Sequence, residues 1–128
     1  MRNYAPVIIF CYRRKINKLI YSLLRNKESS NSKLFIFSDG FKSNLDEHDV
    51  LNVRKSLKKI KNFKSVSIIE SDKNNGLANS IIKGVTSVIN KFGKAIILED
   101  DQSTLSHRFD QVAQPQEVDR RDKNTSSL

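Results

Sequence analysis

Four short apolar runs, "PVIIFCY" (residues 6–12), "KLFIFSD" (33–39), "SVSIIES" (65–71) and "KAIILED" (94–100), recur along the chain, and each ends in polar or charged residues. No other feature restricts the fold as much. A β-branched and aromatic run with little polar alternation suits a strand covered on both faces. Between the runs, apolar residues return at spacings of three and four. Ile16, Leu19, Ile20, Leu23 and Leu24 predict a helix over 15–26. Val50, Val53, Leu57 and Ile60 predict a second, capped by Asn44 or Asp46 and running to about Lys61. Leu77, Ile81, Val85, Val88 and Phe92 predict a third over 77–92, which Gly93 stops.

Strands alternating with helices predict an α/β fold: an open, mainly parallel sheet with flanking helices and right-handed crossovers. Ligands bind such sheets at the carboxyl ends of the strands. That edge would gather "CYRR", "SDG", "SDKNNG" and "EDD" from the four strands, with Gly40 available for an unusual backbone angle.

The chain of 128 residues is the size of one domain, and residues 1–101 carry the whole pattern. After Asp101 isoleucine is absent and lysine falls to Lys123 alone, so 102–128 read as a polar tail, either disordered or not the native continuation of the domain. The apolar runs are too short to span a bilayer, and the first ends in basic residues without a signal-peptide cleavage site. A single cysteine, Cys11, inside the first run fits a small buried side chain in a reduced, cytoplasmic protein. The net charge of +9 is spread over helix-like segments without interleaved aromatics, which argues against nucleic acid. A solvated basic surface follows, able to touch anionic membrane surfaces or polyphosphate ligands.

Glu99, Asp100 and Asp101 are adjacent carboxylates that repel one another and call for a compensating cation or donors. Mn²⁺ or Mg²⁺ meets that need, taking one or two carboxylates and leaving positions for phosphate oxygens. Asp39, before Gly40, is ordinarily a turn residue; its functional alternative is accepting a hydrogen bond from a base or ribose. Of Arg13 and Arg14, ordinarily surface charge, Arg13 is the candidate for approaching a base or diphosphate. Asn75 and Gly76 stand at a helix N-terminus, where free N–H groups suit a phosphate or a tight turn. The phosphate-loop and dinucleotide-binding glycine patterns are absent, as is a Gly-x-Ser-x-Gly elbow, and His48 and His107 lack partners at zinc-ligand spacing.

"APVIIFCYRR", "LFIFSDG", "NNGLANSIIKGV" and "AIILEDD", in this order, resemble the N-terminal nucleotide-sugar-binding half of family 2-like glycosyltransferases with the GT-A fold, including N-acetylglucosaminyltransferases that end the same strand with Glu-Asp-Asp. The resemblance covers about residues 5–101. It implies Asp101 as the metal ligand, Asp100 near the ribose and Glu99 facing the donor sugar. It further implies Asp39 near a uracil-type base, Arg13 after the first strand, and Asn75, Gly76 and Asn79 closing the donor pocket. The implied chemistry is sugar transfer from a nucleoside diphosphate, the metal neutralising charge on the leaving diphosphate. In that family a second half binds the acceptor and can supply a catalytic base. Residues 102–128 do not resemble it, so the expectation is a chain without the acceptor half, weakly active or inactive alone, with apolar surface exposed for self-association. The competing readings are a non-catalytic basic module binding membrane surface or nucleic acid, and a nucleotidyltransferase.

Overall fold

The computed structural model describes residues 4–99 and the strand residues 117–119. In chain order it contains β1 (Val7–Cys11), α1 (Asn17–Leu24), a 3₁₀ turn (Lys27–Asn31), β2 (Lys33–Ser38), α2 (Asn44–Leu57), β3 (Ser65–Glu70), α3 (Leu77–Phe92), β4 (Lys94–Glu99) and β5 (Glu117–Asp119). The sheet order is β3-β2-β1-β4-β5. The first four strands run parallel, and β5 pairs antiparallel with β4 through Ile96 opposite Glu117 and Lys94 opposite Asp119. The expected α/β class and mainly parallel sheet are therefore present. The polar sequence after Asp101 carries no strand pattern, and β5 is added by pairing with β4 rather than by local propensity.

Alternation along the central strand divides the core. Val7, Ile9 and Cys11 face α1 and α2 with Leu34 and Ile36, against Ile16, Leu19, Ile20, Leu23, Val53 and Leu57. Ile8 and Phe10 face α3, against Val88, Ile89 and Ala95. Covered on both sides, all five residues of β1 are buried, which is why it reads as an unbroken apolar run. Gly84 lets α3 lie close: a Cβ there would meet the Phe10 ring at 2.8 Å and the Phe37 ring at 3.1 Å. Leu77, expected in the inner stripe of α3, is 65 % exposed, because the stripe that meets the sheet is Gly84, Val88 and Ile89.

α1 and α2 are shorter than the periodicity predicts, while α3 spans the predicted 77–92. α1 gives way to the 3₁₀ turn, where Asn26 accepts the N–H of Glu28 at 3.0 Å and the Ser29 hydroxyl donates to the Leu23 carbonyl. Neither Asn44 nor Asp46 is the cap of α2; Ser43 is. Its hydroxyl accepts the Leu45 N–H at 3.1 Å, and Asp46 in the first turn accepts the Ser43 N–H at 2.9 Å, completing a capping box. α2 stops at Leu57, and Asn62 takes a left-handed turn with φ 76° before β3. Gly93, with φ 88°, ends α3 and donates its N–H to Ile89 at 2.8 Å.

Candidate functional site

The strands are parallel, so the segments after β1, β2 and β3 emerge on one edge. There the loop from β3 to α3 is fastened to the end of β2. Asp39, only 8 % exposed, accepts the N–H of Gly40 at 2.9 Å and of Asn75 at 2.8 Å on Oδ1, and that of Gly76 at 3.0 Å on Oδ2. Gly40 donates to the Lys73 carbonyl at 3.3 Å and accepts from the Asn74 amide at 2.8 Å. Gly40 is not among the residues of positive φ; it is needed because a Cβ would stand 2.6 Å from the Lys73 carbonyl carbon. Close backbone approach, rather than the unusual angle expected from sequence, explains this glycine. Gly76 does take such an angle, φ 82° and ψ 157°, in a region open essentially to glycine alone.

Arg54, on the inner edge of α2, holds the same junction from the other face. Its Nε–H donates to the Ser38 hydroxyl at 2.9 Å, and Nη2 donates to the carbonyls of Ser38 (3.2 Å), Asp39 (3.2 Å) and Ser71 (2.9 Å). Glu70 lies 3.8 Å from Nη1. A planar guanidinium can bind three carbonyls from two strand ends at once, which an ammonium on a flexible stem cannot do in one geometry.

A third fastening follows β1. The Tyr12 hydroxyl donates to Asp46, which also accepts the Lys42 N–H at 3.0 Å. The backbone N–H of Lys42, with those of Ser43 and Asp46 itself, holds the Asp46 carboxyl below its ordinary pKa, against the opposing effect of desolvation. The Tyr12 ring carries the Arg13 guanidinium 5.8 Å from its centroid and the Lys42 ammonium 6.0 Å away.

These fastenings frame a pocket of about 390 Å³ at the carboxyl ends of β1 and β2. Phe10 and Phe37 contribute an apolar wall, stacked at 5.3 Å with planes 21° apart. Arg13, Arg14 and Lys42 line it with positive charge, Asp39 is the one acidic residue lining it among the described residues, and Gly76, Leu77 and Ser80 bring in the first turn of α3. Gly76 has no side chain with which to cap that helix and no acid occupies its first turn, so the N–H groups beyond Gly76, whose own N–H goes to Asp39, add positive potential. The arrangement can hold a ligand with a flat apolar part and an anionic part.

Of the residues expected from sequence, Arg13, Asp39 and Gly76 meet in this pocket. Asn75 and Asn79 stand beside it in the loop's own bonding: Asn75 donates to the Ser71 hydroxyl at 2.7 Å, and Asn79 to the Asn75 carbonyl at 3.1 Å. Glu99 ends β4, opposite Phe10 in register. Asp100 and Asp101 lie outside the described residues, and among the described residues no three His, Cys, Asp or Glu side chains converge on a metal position. Sequence reasoning missed Lys42, Arg54 and the aromatic wall, and it passed over Arg14. Arg54 left one faint signal, a charge directly beside the apolar position Val53 on a helix whose outer face is already polar.

No family model, curated protein or solved structure matches the chain. Among the described residues, no helix is long and apolar enough to cross a membrane.

Proposed function

We propose that this is a nucleotide-sugar-binding domain of GT-A type, belonging to a glycosyltransferase that takes its donor as a nucleoside diphosphate, of uridine type. One observation carries the reading. The pocket at the strand carboxyl ends joins an aromatic wall, three cationic side chains and the uncapped start of a 16-residue helix. A base needs the first, and a diphosphate needs the others. In this reading Arg13, with Arg14 and Lys42, takes the diphosphate. Asp39 keeps the pocket in shape and has acceptor capacity left on Oδ2 for a base or ribose.

The metal part of the proposal assigns Mn²⁺ or Mg²⁺ to Asp101, with Asp100 and Glu99 toward ribose and sugar. Its support is the chain order: Glu99 ends β4 beside β1, and the two aspartates are the next residues. When bound, the ion would neutralise charge on the departing diphosphate.

Calorimetry with uridine diphosphate, with and without Mn²⁺, tests the reading. Binding that Mn²⁺ strengthens, and that Asp101→Ala makes indifferent to the metal, is expected. A folded chain that binds no nucleoside diphosphate in either condition overturns it.

A further inference from the structure

β3 is the terminal strand of the sheet on the side away from β4, and among the described residues nothing pairs with its outer edge. Such an edge is normally blunted by proline, by a charge in mid-strand or by a bulge. β3 has none of these: it reads Ser65, Val66, Ser67, Ile68, Ile69, Glu70, in unbroken register with β2. Its burial is also incomplete. Val66 and Ile68 pack on the core only partly, and Ile69 is 41 % exposed, because α3, on the face Ile69 shares with Phe37, lies against β1 and β4.

The order of residues shows what fits this edge. Turned antiparallel about Ser67, the segment Lys64 to Glu70 complements itself. Lys64 falls opposite Glu70 of a second copy, Ser65 opposite Ile69, Val66 opposite Ile68, and Ser67 opposite Ser67. Within β3 each pair joins residues of the same alternation class, so outward N–H and C=O groups of one copy meet outward groups of the other. Lys64 precedes the strand, donates its own N–H to the Ser32 carbonyl at 3.0 Å, and meets Glu70 by side-chain charge alone. Opposite charges meet at both ends, and between them Val66 meets Ile68 on either side of the Ser67 pair, contacts that stabilise antiparallel neighbours.

We infer that β3 is a self-pairing edge, through which two copies of this chain join by a two-fold axis at Ser67 into one continuous sheet. The interface is isologous and closed, so assembly stops at the dimer. It leaves the pocket at the carboxyl edge uncovered and is independent of what that pocket binds.

Size-exclusion chromatography with light scattering, on the full chain across a dilution series, tests this. A concentration-dependent dimer is expected. Ser67→Lys, which sets two ammonium groups directly opposite each other, should weaken it about tenfold or more with the circular dichroism spectrum unchanged. Ser67→Cys should cross-link to itself under mild oxidation, whereas Ser65→Cys, set opposite Ile69, should not. A chain that is monomeric throughout, an assembly larger than a dimer, a dimer indifferent to Ser67→Lys, or cross-linking at 65 equal to that at 67 overturns the inference.

Discussion

The carboxylate of Asp39, at the end of β2, accepts the N–H of Gly76 at 3.0 Å and so ties the second strand to the first turn of α3 across 37 residues of chain. The same side chain takes two further backbone N–H groups, from Gly40 and Asn75. Removing it would leave the N–H groups of Asn75 and Gly76 without this partner and Gly40 with the Lys73 carbonyl alone, at 3.3 Å. Asp39→Ala is expected to cost about 2–3 kcal/mol of stability, since an unpaired buried donor is worth roughly 1–3 kcal/mol and part of the site can admit water. Urea denaturation measures this. Nucleotide affinity should fall in parallel; affinity lost with stability unchanged would assign Asp39 a ligand contact and no scaffolding role.

Arg54→Met should destabilise by about 2–3 kcal/mol, because carbonyls at the ends of β2 and β3 lose their charged donor. Arg54→Lys keeps the charge but not the fork, and should recover less than half of that loss. Equal stability of the Lys variant and the wild type would mean that charge alone matters there.

The two glycines of the loop should fail differently. In Gly40→Ala the new methyl would press on the backbone of Lys73 and Ser71, at 2.6–2.9 Å, forcing the strand ends apart at a cost of about 1–3 kcal/mol. Gly76→Ala meets nothing within 4 Å, so its cost of about 1–3 kcal/mol comes from the backbone angle. D-alanine introduced at each position by chemical ligation separates the two: it should rescue position 76 and leave position 40 impaired.

Asp46 sets an acid limit. Its pKa is below the ordinary value of 3.8, so its contribution to stability is complete above that value and is lost as the pH falls through the lower folded-state value. The wild-type urea midpoint should therefore decline below about pH 4, and Asp46→Asn should show a shallower decline there while being less stable at pH 7. Parallel acid limbs for the two proteins would remove Asp46 from the account.

Arg13→Ala, Arg14→Ala and Lys42→Ala should each weaken uridine diphosphate binding about three- to tenfold and flatten its dependence on salt, since each removes one charge from a rim that solvent still reaches. Titrations at low and high ionic strength would show this. Unchanged affinity in all three variants would move the anion away from this rim.

Much of the scaffold was legible because local patterns and tertiary needs agree. Val50, Val53 and Leu57 are buried as their spacing implies, β1 is buried throughout as its unbroken apolar run implies, and Gly93 stops α3 with a left-handed turn. The N-terminus of α2 was harder, since Ser43, Asn44 and Asp46 all suit a cap and only the backbone path selects Ser43. Leu77 continues the i, i+4 series of α3, but the helix begins beyond the point where the sheet can cover it. Arg54, and the scaffolding bonds Asp39 makes to Asn75 and Gly76, were missed for one reason: these partners lie 15–37 residues away, and no local pattern encodes a hydrogen bond at that separation.

Alone, then, the sequence determined the class of fold and the edge where polar residues collect, because apolar period and strand order are local and directional. Only the tertiary structure decided which of those polar residues line the pocket and which hold the frame. That choice depends on which carboxylates and cations are already taken by distant backbone groups: Arg54 is engaged within the fold, Asp39 both ties the loop and lines the pocket, and Arg13, Arg14 and Lys42 line it beside Asp39.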